Sequence, residues 1–401
     1  MKNDFLKLVG KKNVALSLEG GGARGAYQIG AVKALYENGF KFKAIVGTSI
    51  GAINGAYLAQ GDFEKIYKMW QTMSFEDLLD LDNEAMKNLI NVNLSFDNVR
   101  YLSKKLGSSI KNGGLDITKE RKILEEGIDE SRLRKSDILY GLVATCLTDI
   151  KGEELFIDQI DNGKVVDYIM ASSNLPVFKR SMIGEKKYLD GGLWDNCPVH
   201  MLEKKGFKDV IVIRAHKRNR IRDYKNIVKR GNIKIHMVEP IDTLPGILNF
   251  DKDNLNELLL LGYYDVLRLI NNYDGFRFYF QNINEDYILE KLNNISIGKI
   301  VEIINLLKIK IVVGEDANTI LKTKIIPLLV SKTKVKYAKN LKEGVIALIE
   351  HLALNEYIDR YKIYKIDEII QLIKSGINYE ELSQFSKAMY MVIVNFLEEE
   401  E

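Results

Sequence analysis

The sequence predicts an α/β fold whose layered sheet occupies most of the chain and is followed by a mainly helical C-terminal domain. Up to about residue 271, short apolar runs with the length of buried strands alternate with segments of helical spacing. From about residue 272 the strand-like runs fade, and lysine and glutamate are interleaved with apolar residues at helical spacing. The length of 401 residues also exceeds the usual size of one domain.

Two strand–loop–helix units open the predicted sheet. Residues 13–18 form a short apolar run typical of a buried strand, followed by a glycine cluster and by helical spacing over residues 26–36. Residues 42–46 form a second apolar run, which leads through Gly47 into a helix of small residues at 50–59. The repetition of this unit indicates neighbouring strands of one layered sheet.

The same alternation continues along the chain. We predict further strands at residues 139–147, 186–189, 209–213 and 233–238, with helices between them at 165–172 and 199–204. Residues 74–114 are rich in Asn, Asp and Ser and lack a strand pattern. Because this segment is too long for an ordinary connection, we interpret it as a lid or flap.

The C-terminal part of the chain predicts helices instead of strands. Apolar residues recur at helical spacing over residues 289–307, 341–352 and 366–373. We therefore divide the chain into a first domain at residues 1–271 and a helical C-terminal domain at residues 272–401, whose role the sequence does not indicate.

The bulk composition is that of an ordinary globular protein. Hydrophobic residues make up 46% of the chain and charged residues 28%, and the formal net charge of +3 gives no indication of a nucleic-acid partner. Two cysteines, Cys146 and Cys197, fit a reduced cytoplasm. Residues 1–12 lack the apolar run of a signal peptide, and no later run reaches the roughly 18 residues of a spanning helix. We expect a cytoplasmic protein whose membrane contact is peripheral, at the inner surface.

The pentapeptide Gly47-Thr48-Ser49-Ile50-Gly51 lies where a predicted strand ends and a predicted helix begins. A nucleophile elbow requires this context, because a sharp turn lifts the serine hydroxyl clear of the sheet and the helix N-terminus adds positive potential. We predict Ser49 as the nucleophile, with Gly47 and Gly51 in support. The short pattern also occurs by chance, and a serine that caps the helix is the alternative.

A second motif, Gly20-Gly21-Gly22-Ala23-Arg24-Gly25, also lies between a strand and a helix. It fits the GxGxxG fingerprint of dinucleotide binding, but the acidic residue expected about 20 residues later is missing. Glycine amides also suit the oxyanion that forms when a serine attacks an ester. We predict Gly20, Gly21 and Gly22 as an oxyanion hole, supported by Gly25 and the positive charge of Arg24. A purely structural glycine turn is the alternative.

A serine nucleophile needs a base that accepts its proton. Of the four histidines, none has a glycine-rich context, and His200, which begins a helix after a glycine turn, is the histidine alternative. Asp190 follows a short apolar run and precedes Gly191 and Gly192. It therefore stands at a strand end, where α/β folds gather their catalytic groups, although an ordinary Asp-Gly turn explains the same pattern.

Together these motifs resemble the patatin-like phospholipase family, in which a GGGxRG loop, a GxSxG elbow and a DGG or DGA occur in this order. The sequence ASSNLP at residues 171–176 is similar to the small-residue helix and proline turn that precede the aspartate in that family, and Asn196 with Pro198 is similar to the family's usual continuation after DGG. The resemblance covers about residues 13–269. It implies a three-layer sandwich with a central, mostly parallel sheet, a modified α/β-hydrolase fold.

The resemblance also implies a reaction. A dyad of Ser49 and Asp190, with no histidine, metal or other cofactor, hydrolyses the acyl esters of phospholipids or related lipids through an acyl-enzyme. Two other functions stay open. The chain could be a nucleotide-binding regulator that uses the GxGxxG loop, or a non-catalytic membrane or protein adaptor with the same fold.

Overall fold

The computed structural model describes residues 5–78, 115–217, 224–312, 314–335 and 338–397. The chain divides into two compact units, Met1–Ile270 and Asn271–Glu401. Residues 79–114, the greater part of the predicted flap, lie outside the described residues.

An eight-stranded sheet forms the centre of the first unit. Its strands are β1 (Val14–Leu18), β2 (Ala44–Thr48), β3 (Leu139–Cys146), β4 (Lys151–Phe156), β5 (Ser181–Ile183), β6 (Lys186–Asp190), β7 (Asp209–Ile213) and β8 (Lys234–Val238). The strand order is β5-β6-β3-β2-β1-β7-β8, and β4 pairs with β3. The neighbours from β3 through β2, β1 and β7 to β8 are parallel, whereas β4, β5 and β6 join by antiparallel pairing. The predicted α/β fold with a mostly parallel sheet is thus confirmed.

The register of three strands determines which residues meet at one edge of the sheet. Strand β2 ends opposite the middle of β3, where Thr48 pairs with Val143. Strand β6 runs toward β2 along the same edge of β3, and its last residue, Asp190, pairs with Ala144. The ends of β2 and β6 therefore meet over adjacent residues of β3, although the two strands are far apart in the chain.

Helices cover both faces of this sheet, as a buried parallel sheet requires. The helices of the first unit are α1 (Gly25–Glu37), α2 (Ile50–Ala59), α3 (Phe63–Thr72), α4 (Phe75–Leu78), α5 (Thr118–Gly127), α6 (Glu130–Arg134), α7 (Val165–Ser172), α8 (Val199–Lys204), α9 (Tyr224–Arg230) and α10 (Lys252–Asn271). Helix α2 packs on one face, where its Gly55 lies against Ile45. On the other face, Val199 and Leu202 of α8 pack against Ala44 and its neighbours. Short 3-10 turns occupy Leu6–Leu8, Gly22–Arg24, Ile157–Gln159 and Gly191–Leu193.

The second unit is mainly helical, as predicted. Its helices are α11 (Glu285–Asn293), α12 (Ile297–Leu307), α13 (Ala317–Ile320), α14 (Ile326–Val330), α15 (Leu341–Asn355), α16 (Ile366–Gly376) and α17 (Gln384–Val394), with a π turn at Leu321–Ile325 and 3-10 turns at Tyr379–Glu381 and Asn395–Leu397. Two short parallel strands, β9 (Tyr279–Phe280) and β10 (Ile363–Tyr364), pair beside them. Helix α15 is central, because residues 344–350 are buried without interruption.

Two details of the second unit differ from or add to the sequence prediction. The helix predicted over residues 289–307 is two helices, because Ser296 accepts a hydrogen bond from the Lys299 amide and begins a new helix there. The Glu350 carboxylate, buried in α15, accepts hydrogen bonds from the backbone amides of Phe276, Arg277 and Phe278. In neither unit does any described helix have the length and apolarity needed to cross a membrane.

Candidate active site

Ser49 stands at a strained turn between β2 and α2. Its backbone has φ 57° and ψ −126°, a left-handed conformation that a serine adopts at a cost. Two glycines leave room for the turn: a Cβ atom on Gly47 would lie 2.1 Å from the Gly51 carbonyl oxygen, and one on Gly51 would lie 2.3 Å from the Leu18 carbonyl oxygen. The glycines of the GxSxG motif are therefore required by the close packing of backbone around the serine.

The structure brings Asp190 to the Ser49 hydroxyl. Ser49 Oγ donates a hydrogen bond to Asp190 Oδ2 at 2.7 Å, and the Gly192 amide donates to Oδ1 at 2.7 Å. Asp190 is fully buried, and burial raises the pKa of its carboxyl to about 7 against the opposing effect of these two hydrogen bonds. A carboxyl with this pKa is half ionised near neutral pH, so it is able to accept a proton and to return it. The next residue must be Gly191, because a Cβ atom there would lie 2.0 Å from the Val143 carbonyl oxygen.

The end of helix α7 supports both members of this pair. The Ser172 hydroxyl accepts a hydrogen bond from the Ser49 amide at 2.9 Å, and the Asn174 carbonyl accepts one from the Asp190 amide at 2.7 Å. Thr145 Oγ1 donates to the Asp190 carbonyl. Ser172 and Asn174 were not predicted as site residues. In the sequence they are marked only by the ASSNLP segment to which they belong.

The glycine loop runs beside Ser49. A Cβ atom on Gly20 would lie 3.1 Å from Ser49 Cβ, and Gly22, with φ +56°, would bring a Cβ atom to 2.1 Å from the Ile247 carbonyl oxygen. The Gly20 amide already donates to the Asn196 carbonyl at 3.0 Å, and Asn196 Nδ2 donates back to the Gly20 carbonyl. Of the three predicted oxyanion donors, Gly20 is thus held by Asn196, while no described residue accepts from the Gly21 or Gly22 amide.

Arg24 anchors the loop from behind. Its guanidinium donates to the carbonyl oxygens of Pro245, Ala215 and Leu244 at 2.6, 3.2 and 3.3 Å, and the side chain is buried. This arrangement makes Arg24 a structural clamp, although the sequence suggested that its charge would act on the oxyanion. Gly25 lies where the loop meets α2, because a Cβ atom there would be 2.5 Å from Ile50 Cγ1.

His200, the alternative base, belongs to another cluster. Its Nε2 lies 2.8 Å from Glu154 Oε2 and its Nδ1 lies 2.9 Å from Asp195 Oδ2. Burial lowers the pKa of His200, but the two carboxylates outweigh burial and raise it to about 9. His200 is therefore a cation at neutral pH and is committed to partners other than Ser49.

An apolar cavity opens at Ser49. The cavity is partly open to solvent. The cavity is lined by Ser49 and Gly22 at the candidate site, by Glu120 and Ser173, and by the apolar residues Ile50, Ile53, Met69, Met73, Ile123, Leu124, Leu175, Phe178, Leu248 and Phe250. A cavity with this lining suits a hydrocarbon chain whose carbonyl group reaches the serine.

One group of possible metal ligands occurs among the described residues. Ligand atoms of Cys146, Asp149 and Glu153 lie within 4.8 Å of one another. Lys186 Nζ lies 2.8 Å from Asp149 and 3.8 Å from Glu153, so a lysine already balances the two carboxylates. We assign no metal site to this group.

Comparison with known proteins identifies relatives of the first unit. A family model described as "Patatin-like phospholipase" matches residues 16–203, which include the glycine loop, Ser49 and Asp190. YqhO, an uncharacterized protein of Bacillus subtilis, is 29% identical over 221 residues, which are 52% of this chain and 73% of that protein. The lysophospholipase NTE1 of Debaryomyces hansenii is 28% identical over 216 residues, which are 53% of this chain and 12% of that protein.

Among solved structures, VipD from Legionella pneumophila aligns with 96% of this chain and 91% of its own. The sequence identity is 13% and the TM-score is 0.41. This likeness is low, and the assignment of fold class follows from the strand order and helical layers of the chain itself.

Proposed function

On the premise that residues 16–203 belong to the patatin-like phospholipase family, we propose that this chain hydrolyses the acyl esters of phospholipids or related lipids, with Ser49 as nucleophile and Asp190 as base. The observation that carries the proposal is the 2.7 Å hydrogen bond from Ser49 Oγ to Asp190 Oδ2. The apolar cavity at Ser49 supports a substrate with a hydrocarbon chain. The length shared with NTE1 is a small part of that protein, so its activity serves here as support for a class of reaction only.

The first half of the proposed reaction transfers the acyl group to Ser49. Asp190 accepts the hydroxyl proton while Ser49 Oγ attacks the ester carbonyl, and a tetrahedral oxyanion forms. The intermediate collapses when the bond to the alcohol breaks, and Asp190 gives its proton to the departing alcohol oxygen. The product of this half is an acyl ester of Ser49.

The second half releases the fatty acid. Asp190 accepts a proton from water, and the resulting hydroxide attacks the acyl-enzyme carbonyl. The bond to Ser49 Oγ then breaks, Asp190 returns the proton to Ser49, and the carboxylic acid leaves. No step requires a second base, because one carboxyl with a pKa near neutrality alternates between the two tasks.

The oxyanion of both halves needs amide donors. Gly21 and Gly22 are the donors that we propose, and Ile50 is a third, because the first amides of a helix have no intrahelical acceptor. The Gly20 amide donates to the Asn196 carbonyl, so its role is to fix the loop beside Ser49 and not to bind the oxyanion. Each such donor typically contributes roughly 3 to 4 kcal/mol to the transition state.

Substitution of the two reacting groups tests the proposal. We expect Ser49→Ala and Asp190→Asn to lower kcat for release of fatty acid from phospholipid micelles and from p-nitrophenyl esters by at least about a thousand-fold, as loss of a nucleophile or its base does in serine hydrolases. A fluorophosphonate should label the wild-type protein and leave Ser49→Ala unlabelled.

The matched control is Ser331→Ala, which changes an exposed serine of the helical unit. It should retain wild-type turnover and labelling. Full turnover in Ser49→Ala or Asp190→Asn would remove that residue from the mechanism. Saturable binding of NAD, NADP or ATP by calorimetry, without turnover of any ester, would instead favour the nucleotide-binding function of the glycine loop.

A further inference from the structure

The cavity at Ser49 has a carboxyl group in its otherwise apolar wall. Glu120, in the first turn of α5, lines the cavity, and its Oε1 accepts a hydrogen bond from the Ser173 hydroxyl at 3.1 Å. Within the described ranges, no basic side chain pairs with this carboxyl. The proposed mechanism gives Glu120 no task, so the presence of a polar group there calls for another physical reason.

Burial raises the pKa of Glu120 to about 7, opposed by the Ser173 hydrogen bond and assisted by the negative charge of Asp190. Near neutral pH a large share of the carboxyl is protonated, and in this form it both donates and accepts hydrogen bonds. Ser173 has a single hydroxyl proton, which also lies within reach of the Ile169 carbonyl at 3.2 Å. When Ser173 instead donates to Glu120 Oε1, the protonated carboxyl keeps its own O–H as a spare donor and Ser173 Oγ keeps a lone pair as a spare acceptor.

The position of the pair relates it to the reacting ester. Ser173 directly follows Ser172, whose hydroxyl accepts from the Ser49 amide. Glu120 is also close enough to Asp190 for their charges to interact. Because Ser49, Glu120 and Ser173 line the same cavity, the pair faces the space that the acyl chain or the alcohol of an ester at Ser49 would occupy.

We propose that Glu120 and Ser173 form a hydroxyl-recognition site that selects lipid esters with a free hydroxyl group near the ester bond. A hydroxyl both donates and accepts, which matches the pair, whereas a methylene in the same place leaves the Glu120 carboxyl with the Ser173 hydrogen bond alone. The hydroxyl comes either from the alcohol part, as in a monoacyl lipid, or from a hydroxylated acyl chain. The inference rests on the proposed ester hydrolysis and concerns the choice of substrate.

Matched substrate pairs separate the two sources of the hydroxyl. One pair is a monoacyl glycerophosphocholine and its 2-deoxy analogue, and the other is the p-nitrophenyl ester of a 3-hydroxy fatty acid and of the plain acid. The measured quantity is the ratio of kcat/KM with the hydroxyl to kcat/KM without it. The variants are Glu120→Leu, Glu120→Gln and the control Glu126→Leu, which makes the same change at an exposed position of α5.

We expect the wild-type ratio to reach about ten or more in one of the pairs, since the analogue lacks the hydroxyl that would bond to Glu120 and Ser173. Glu120→Leu should bring this ratio close to one. Glu120→Gln, whose amide also donates and accepts, should keep part of the preference, and Glu126→Leu should keep all of it.

Two results would overturn the inference: wild-type ratios near one in both pairs, or a preference that persists in Glu120→Leu. The absence of any ester turnover in the wild type would instead contradict the proposed function. Binding distinguishes these cases, because Ser49→Ala should bind the hydroxyl member of a pair about ten-fold more tightly than its partner, and Ser49→Ala combined with Glu120→Leu should bind both equally. Equal binding by Ser49→Ala would also count against the site.

Discussion

Asp190 is a fully buried carboxyl. On the proposed mechanism, its ionisation decides whether Ser49 has a base. Burial disfavours its charged form, while the Ser49 hydroxyl and the Gly192 amide favour it, and the balance leaves its pKa at about 7. The same residue therefore affects both the reaction and the stability of the fold. These two effects have opposite dependence on pH.

The reaction should accelerate as pH rises. On the proposed mechanism only the ionised Asp190 accepts the Ser49 proton, so we expect kcat/KM for a p-nitrophenyl ester to increase from pH 5.5 to pH 8.5 with a midpoint near 7. Glu120 titrates in the same pH range, and its negative charge repels that of the ionised Asp190. Glu120→Gln removes this repulsion, so it should move the midpoint to lower pH. A profile that is flat over this range would contradict Asp190 as the base.

Stability should change in the other direction. The folded pKa of Asp190 lies above its ordinary value of 3.8, so its contribution to folding is fully present below pH 4 and is lost as pH rises through 7. Asp190→Asn keeps partners for Ser49 and Gly192 but carries no charge. We expect its free energy of unfolding in urea to exceed that of the wild type at pH 8 by on the order of 1 to 3 kcal/mol, and by less at pH 5. If Asp190→Asn were less stable than the wild type, and by more at pH 8 than at pH 5, the raised pKa of Asp190 would be contradicted.

At the scale of residues, the sequence predicted the groups that carry a motif. Ser49, Asp190 and the glycines stand in patterns that depend on local turns, and those patterns are visible along the chain. Glu120 has no such pattern. It enters the cavity only because α5 packs there, and the position of a helix in the tertiary structure is not encoded by the spacing of its own residues.

At the scale of elements, the elbow depends on contact between the backbones of β1, β2 and α2. Gly47 and Gly51 lie where any side chain would enter the space of a carbonyl oxygen, at 2.1 and 2.3 Å. Replacement of either glycine therefore requires the strand or the helix to move. The two glycines are therefore a packing requirement of the fold as well as part of the motif around the proposed nucleophile.

We expect Gly51→Ala to lower the free energy of unfolding by at least about 1 to 3 kcal/mol, the usual range for overpacking in a core. The control is Gly298→Ala in α12, where a Cβ atom meets nothing within 4 Å. Alanine is the better helix former by about 1 kcal/mol, so Gly298→Ala should be neutral or stabilising. Chemical denaturation of the three proteins gives the comparison, and equal stabilities would show that the close approach at Gly51 relaxes without cost.

The elements that the sequence predicted are those with continuous apolar runs or clear helical spacing. Strand β4 was not predicted, because Lys151–Phe156 contains two glutamates and lies at the margin of the sheet with much of its surface only partly buried. The antiparallel direction of β6 was not predicted either. The direction of a strand follows from its pairing, and the apolar run that identifies the strand is the same in both directions.

At the scale of the whole molecule, the chain consists of two compact units with separate cores. The first core surrounds the sheet, and the second is centred on α15, where Glu350 binds three backbone amides. The sequence predicted a change in character near residue 272, because strand-like runs fade there and apolar residues recur at helical spacing. The sequence did not predict how the helices of the second unit pack against one another, because the pattern of an amphipathic helix does not specify which helix it contacts.

Two cores of this kind should unfold in two thermal transitions in scanning calorimetry. Gly51→Ala should lower the temperature of one transition, and Glu350→Gln, which weakens the hydrogen bonds of a buried carboxylate, should lower the temperature of the other by several degrees. The double variant should show both shifts, each in its own transition, because each substitution lies in the core of one unit. A single transition that both substitutions move equally would show that the two units unfold as one.

Gly20 and Asn196, 176 residues apart in the sequence, are joined by two hydrogen bonds. One runs from the Gly20 amide to the Asn196 carbonyl, and the other from the Asn196 side chain to the Gly20 carbonyl. A ribosome delivers Ser49 early and Asn196 much later, after Asp190. On the proposed mechanism, a nascent chain that already carries its nucleophile has neither a base nor an anchored glycine loop. On that mechanism, a chain whose synthesis stops before Asp190 is a fragment without hydrolase activity.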